Sequence, residues 1–89
     1  MKYIVIKRGD EEYMIMFPNS TKMSHKRMAE VVEGIRVDLG YHGWQRDFIG
    51  CPVVAAGFVT ASGHCHGYSE SLGIGSRPED SELLKSQYA

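Results

Sequence analysis

The sequence predicts an α+β domain: a small, mostly antiparallel sheet in the order ββα-loop-ββα, with two helices packed on it. Three observations carry that prediction. Two β-rich runs near the start flank a polar, glycine-bearing turn, the hydrophobic period changes to that of a helix after Ser24, and a strand that is apolar on both faces precedes a capped helix near the end. Strands and helices grouped in this way, rather than strictly alternating, favour helices laid on an antiparallel sheet.

The elements follow in order. Tyr3-Ile4-Val5-Ile6, then Lys7-Arg8-Gly9-Asp10-Glu11, then Tyr13-Met14-Ile15-Met16-Phe17 read as an N-terminal hairpin. Pro18 and Asn19 stop its second strand, because proline has no amide hydrogen to give a ladder. Met28, Val31, Val32, Ile35 and Leu39 recur at helical spacing with Lys26, Arg27, Glu30 and Glu33 between them, which predicts an amphipathic helix. Gly34 opposes its continuation, and residues 35 to 39 also alternate like a strand; the reading kept is a helix reaching Leu39. Residues 40 to 50, with three glycines and three aromatics, read as a long loop. "VVAAGFVTA" is expected to be a central strand covered on both sides, with "HCHGYSES" returning as its antiparallel partner after Ser62-Gly63. Ser76-Arg77-Pro78-Glu79 has the spacing of a capping box, so Ser76 is expected to cap the last helix.

The totals narrow the function. A chain of 89 residues is expected to form one domain, residues 1 to 89, around one core. At 43% hydrophobic and 24% charged the composition is that of an ordinary folded chain, not of a disordered one. The net charge of −1 provides no global field toward nucleic acid or an anionic membrane, so binding of that kind needs a local patch. Two cysteines and no apolar leader longer than the Tyr3–Ile6 run predict a reducing cytoplasm without a membrane span.

Each chemistry-bearing cluster has a plainer explanation beside it. His64, Cys65 and His66 are zinc-type ligands, yet a strand sends the two histidines to one face and the cysteine to the other, so no metal site is expected there. Ser69, Glu70 and Ser71 lack the glycine-flanked elbow of a hydrolase nucleophile, and only Arg46 is near enough in sequence to activate Cys51, so no catalytic residue is assigned. Gly73 and Gly75 precede a helix start that already carries Glu79 and Asp80, which disfavours phosphate. Lys22, His25, Lys26 and Arg27 concentrate positive charge where it opposes the helix dipole, so local stability does not account for them. Tyr41, Trp44 and Arg46 place aromatic and cationic side chains in the long loop, a composition common in interface anchors. These seven residues are the candidate partner-binding set; no cofactor is expected.

"VVAAGFV", "GHCHGYSESLGIGSRPED" and, more weakly, "FPNSTKMSHKRMAEVV" resemble small proteins encoded in tailed-phage and prophage genomes, with a Gly-Phe-Val strand, a Ser-Glu-Ser-Leu-Gly element and an Arg-Pro-Glu-Asp helix start. The resemblance covers about half of the chain and is best from Ser69 to Asp80. It implies a non-enzymatic accessory protein in the host bacterial cytoplasm that binds and occludes a host or defence protein, as an anti-CRISPR or other anti-defence inhibitor would. The alternative is a small nucleic-acid-binding module using Lys22, Lys26, Arg27, Arg46 and Trp44. A third is a metal-binding or thiol-active domain on the His-Cys-His strand. Monomer and homodimer both remain open.

Overall fold

A computed structural model of the chain describes residues 1–20, 22–32, 48 and 50–88. Strands β1 (Lys2–Arg8) and β2 (Glu11–Phe17) form the expected hairpin, with Ile4 opposite Ile15 and Arg8 opposite Glu11. The two-residue turn between them has Gly9 at φ 62° and Asp10 on the ordinary side, the pattern of a II′ turn whose twist suits the flanking strands. Strand β3 (Val53–Val59) lies antiparallel on the other side of β1, with a register shift between Val5 and Ile6. Strand β4 (Cys65–His66) completes the sheet, in the order β2-β1-β3-β4. β3 is thus an inner strand, as its apolar faces predict.

Strand alternation sorts the core into two layers. On one face Ile4, Ile6, Ile15, Phe17 and Ala56 meet Met28, Ala29 and Val32 of helix α1 (His25–Val32), together with Phe48. On the other, Tyr3, Val5, Met14, Ala55 and Cys65 meet Leu83 and Leu84 of helix α2 (Asp80–Tyr88). The fold class is α+β, with a helix on each side of a four-stranded antiparallel sheet. Each large apolar side chain buried this way stabilises the fold by roughly 1.5–3 kcal/mol.

β4 is shorter than the expected return strand. Gly67 turns the chain away from the sheet at φ 91°, and a Cβ there would lie 2.9 Å from the Phe58 ring. Tyr68–Ser69 (β5) then pairs with Ile74–Gly75 (β6) in a separate two-stranded ladder. The start of α2 also differs from the expected capping box by one residue. Asp80 Oδ2, not the Ser76 hydroxyl, makes the cap, accepting from the backbone N–H of Arg77 at 2.9 Å. Pro78 and Glu79 form the turn that leads into α2, and Asp80, its first residue, reaches back to close that turn on the Arg77 amide. At the far end of α2, Gln87 closes the outer edge of β2: its Nε2 donates to the Glu12 carbonyl at 2.6 Å and its Oε1 accepts from Met14 N–H at 2.9 Å. A side-chain amide stands in for a neighbouring strand, protecting an edge that invites aggregation.

The helix-or-strand question at residues 35 to 39 and nearly all of the loop from 40 to 50, including Tyr41, Trp44 and Arg46, lie outside the described residues. Among the described residues no helix is long and apolar enough to cross a membrane.

Candidate binding site

Helix α1 begins at a built N-cap. Ser24 Oγ accepts from Arg27 N–H at 3.1 Å, and Met28 N–H bonds the Ser24 carbonyl at 3.0 Å. The turn between β5 and β6 packs against this start, where Ser71 Oγ accepts from Lys26 N–H at 3.1 Å. Between the two lies a cleft of about 380 Å³, walled by Phe58, Tyr68 and His25, with Lys2, Ser24, Glu70 and Ser71 as its polar lining. The Lys2 ammonium donates to the carbonyls of Ser20 and Met23 at 3.1 and 3.0 Å, fixing the chain that leads into α1.

The four residues of the basic concentration separate here. His25 is only 4% exposed, edge-on to the rings of Phe17 and Phe58, so it belongs to the core and not to a docking surface. Its Nε2–H donates to the Gly57 carbonyl at 2.8 Å, which sets the tautomer because a carbonyl only accepts. Arg27 is half-buried and its guanidinium donates to the Lys22 carbonyl at 2.9 Å, a tether for the preceding turn. Lys22 and Lys26 are exposed, and neither ammonium has a side-chain partner among the described residues. On the hairpin whose turn holds the Lys26 amide, Tyr68 is 56% exposed. Sequence reasoning missed Tyr68, because the departure of the chain from the sheet at Gly67 depends on the Phe58 ring packed against it.

Burial holds the pKa of His25 below its ordinary 6.5; the bond to Gly57 opposes this and the charge of Lys2 adds to it. Protonation is therefore harder in the folded state than in the unfolded chain. Stability from this group is fully present above pH 6.5 and is lost as pH falls through the depressed folded-state value. Urea midpoints of the parent should fall as pH drops below 6.5, and His25→Gln should flatten that slope. Parallel slopes for the two proteins would remove His25 as the source. Glu12, lowered chiefly by its hydrogen bonds to Arg77, contributes stability that is lost only below its ordinary 4.5.

The remaining chemistry-bearing residues are committed to the fold. Arg77 joins Glu12 through two bonds of 2.9 Å and Asp80 through bonds of 2.8 and 2.9 Å. Tyr3 OH donates to Asp80 Oδ2 on the other side. Burial, then Asp80, raises the pKa of Tyr3 well above its ordinary value, so the phenol stays a donor. Cys65 is buried, with its thiol pushed up by burial, and its N–H donates to Ser81 Oγ at 2.9 Å. Ser69 is buried and its Oγ accepts from Leu72 N–H at 3.2 Å, a turn bond. Gly73 sits in the β5–β6 turn at φ 72°, away from the cap of α2. His64 and His66 share the exposed face opposite Cys65, as strand alternation requires. Among the described residues no three of His, Cys, Asp and Glu converge on one point.

A second groove of about 670 Å³ runs along β2, lined by Tyr13, Met14, Met16, Phe48 and Tyr88, with the Arg8 guanidinium 5.0 Å from the Tyr13 ring. Its strand edge is already occupied by Gln87 and by Tyr88, whose hydroxyl donates to the Met14 carbonyl at 2.7 Å. The cleft at α1 brings Lys2, Glu70 and two serines together with the exposed ring of Tyr68. The fold is that of a small α+β domain. No family model, curated protein or solved structure matches the chain.

Proposed function

We propose that this is a non-enzymatic phage or prophage accessory protein that binds and occludes an acidic surface of a bacterial host or defence protein in the host cytoplasm. The observation that carries this reading is the pair of exposed cations, Lys22 and Lys26, at the start of a helix with no acidic residue in its first turn. Both oppose the helix dipole there, so their contribution to local stability is unfavourable and a partner outside the fold is the natural counter-charge. Exposed Tyr68 on the neighbouring hairpin supplies the aromatic contact that interfaces favour. That hairpin lies within Ser69–Asp80 and its flank, the segment that carries the phage resemblance. The docking set is then Lys22 and Lys26 before and within the first turn of α1 with Tyr68 on the neighbouring hairpin, and Arg27 holds the Lys22 backbone.

The test is affinity capture from bacterial lysate, with and without nuclease, followed by titration of the captured protein. Lys22→Glu with Lys26→Glu should weaken binding about tenfold or more while the melting temperature stays at the parent value or rises slightly. A folded double variant with full affinity would place the interface elsewhere. Capture that depends on nucleic acid, with affinity falling regularly as salt rises, would favour the nucleic-acid module instead.

A further inference from the structure

We infer that His64 and His66 together chelate a late first-row divalent cation, of the Ni²⁺ and Cu²⁺ type, on the exposed face at β4. The two residues are separated by one position, so the pleat sends both imidazoles to the same side of the sheet. Their ring centroids are 6.0 Å apart and their planes 8° apart. Both are exposed, and β4 is the last strand of its sheet, so solvent and a metal ion reach the pair directly.

The backbone beneath the pair is held in place. His64 N–H donates to Thr60 Oγ1 at 3.1 Å, Thr60 N–H donates to the His64 carbonyl at 3.0 Å, and His66 pairs with Phe58 across the ladder. The Phe58 ring, 6.1 Å from that of His66, narrows the rotamers left to it. Only side-chain rotation separates the observed stack from convergence on one ion. Once one imidazole is bound the second joins intramolecularly, at high effective concentration.

The chemistry of the donors selects the ion. Cys65 faces the opposite side and is buried, so no thiolate contributes and the site is purely imidazole. Imidazole suits borderline ions, whose affinity rises from Mn²⁺ toward Ni²⁺ and Cu²⁺, and it is a poor ligand set for Mg²⁺ or Ca²⁺. Two protein ligands leave the other coordination positions to water, which makes an exchangeable site and not a four-ligand structural zinc centre.

Ni²⁺ is the cleaner probe, because Cu²⁺ oxidises thiols. Calorimetric titration of the full chain should show one Ni²⁺ per chain and a much weaker response to Mn²⁺. His64→Gln and His66→Gln should each lower Ni²⁺ affinity at least about tenfold, because either change destroys the chelate. Independent surface imidazoles would instead leave the affinity of each single variant unchanged, and that result overturns the proposal. Amide resonances of the unmodified protein give a check that needs no variant: paramagnetic broadening by Ni²⁺ should centre on residues 64 to 66. Broadening centred elsewhere overturns the proposal as well.

Discussion

Asp80→Ala is expected to cost about 3–5 kcal/mol of folding stability, the usual range when one partner of a buried ion pair is removed. The carboxylate is 0% exposed and every bond it makes is internal. Oδ2 accepts from the Tyr3 hydroxyl and the Arg77 amide, while Oδ1 accepts from the Arg77 guanidinium. Three consequences follow from its loss: the Arg77 amide ahead of α2 loses its acceptor, a buried phenol keeps a hydrogen without its carboxylate acceptor, and the Arg77 guanidinium keeps Glu12 and a distant Glu79. The first residues of α2, the centre of β1 and the edge strand β2 are tied together through this one side chain. Since domains of this kind are stable by only about 5–15 kcal/mol, the variant should be partly unfolded at moderate temperature. Tyr3→Phe removes a single hydroxyl and should lose about 1–2 kcal/mol, because Asp80 retains its other donors. Urea denaturation of both variants decides the matter. A loss below about 1 kcal/mol for Asp80→Ala would mean that water replaces the network at little cost.

Which of these features could be read in the sequence depended on whether their cause is local. The hairpin and β3 are written in β-rich apolar runs and α1 in a period of 3.6, and each stands where its pattern places it as far as the described residues reach. The separation of His64 and His66 from Cys65 needed nothing beyond the pleat. The shortness of β4 was not legible, because glycine is compatible with a strand and only the Phe58 ring packed beside Gly67 makes its left-handed conformation decisive. His25 was legible and was read the wrong way. Its spacing to Met28, Ala29 and Val32 continues the apolar stripe of α1 by one turn, a stronger signal than the charges beside it in sequence. The start of α2 turned on whether Glu79 or Asp80 reaches back, and Asp80 is held there by Arg77 and by Tyr3, which lies 77 residues away in sequence. Contacts over that separation leave no local trace. The cleft has the same character: Lys2, Phe58 and Tyr68 come from three distant segments that meet only once the sheet has formed.

Gly57→Ala is the second substitution from which a large loss is expected, about 2–3 kcal/mol, at the upper end of what overpacking costs. Gly57 lies inside β3, where alanine would ordinarily be as good or better, and its two predecessors are both alanines. The difference is the approach of β4. A Cβ at Gly57 would stand 2.5 Å from the His66 carbonyl oxygen and 3.3 Å from both the Tyr3 ring and Ser76 Cβ. The first neighbour is backbone, so it cannot swing aside as a side chain would; β4 itself has to move, and the Phe58–His66 pairing moves with it. The Gly57 carbonyl is also the acceptor for His25, so the strain reaches the start of α1. Denaturation midpoints would measure the loss, and faster amide exchange at Cys65 and His66 would locate it. An alanine variant as stable as the parent, with β4 amides equally protected, would show that β3 and β4 can separate without cost. In that case the close approach would not be what keeps residue 57 a glycine.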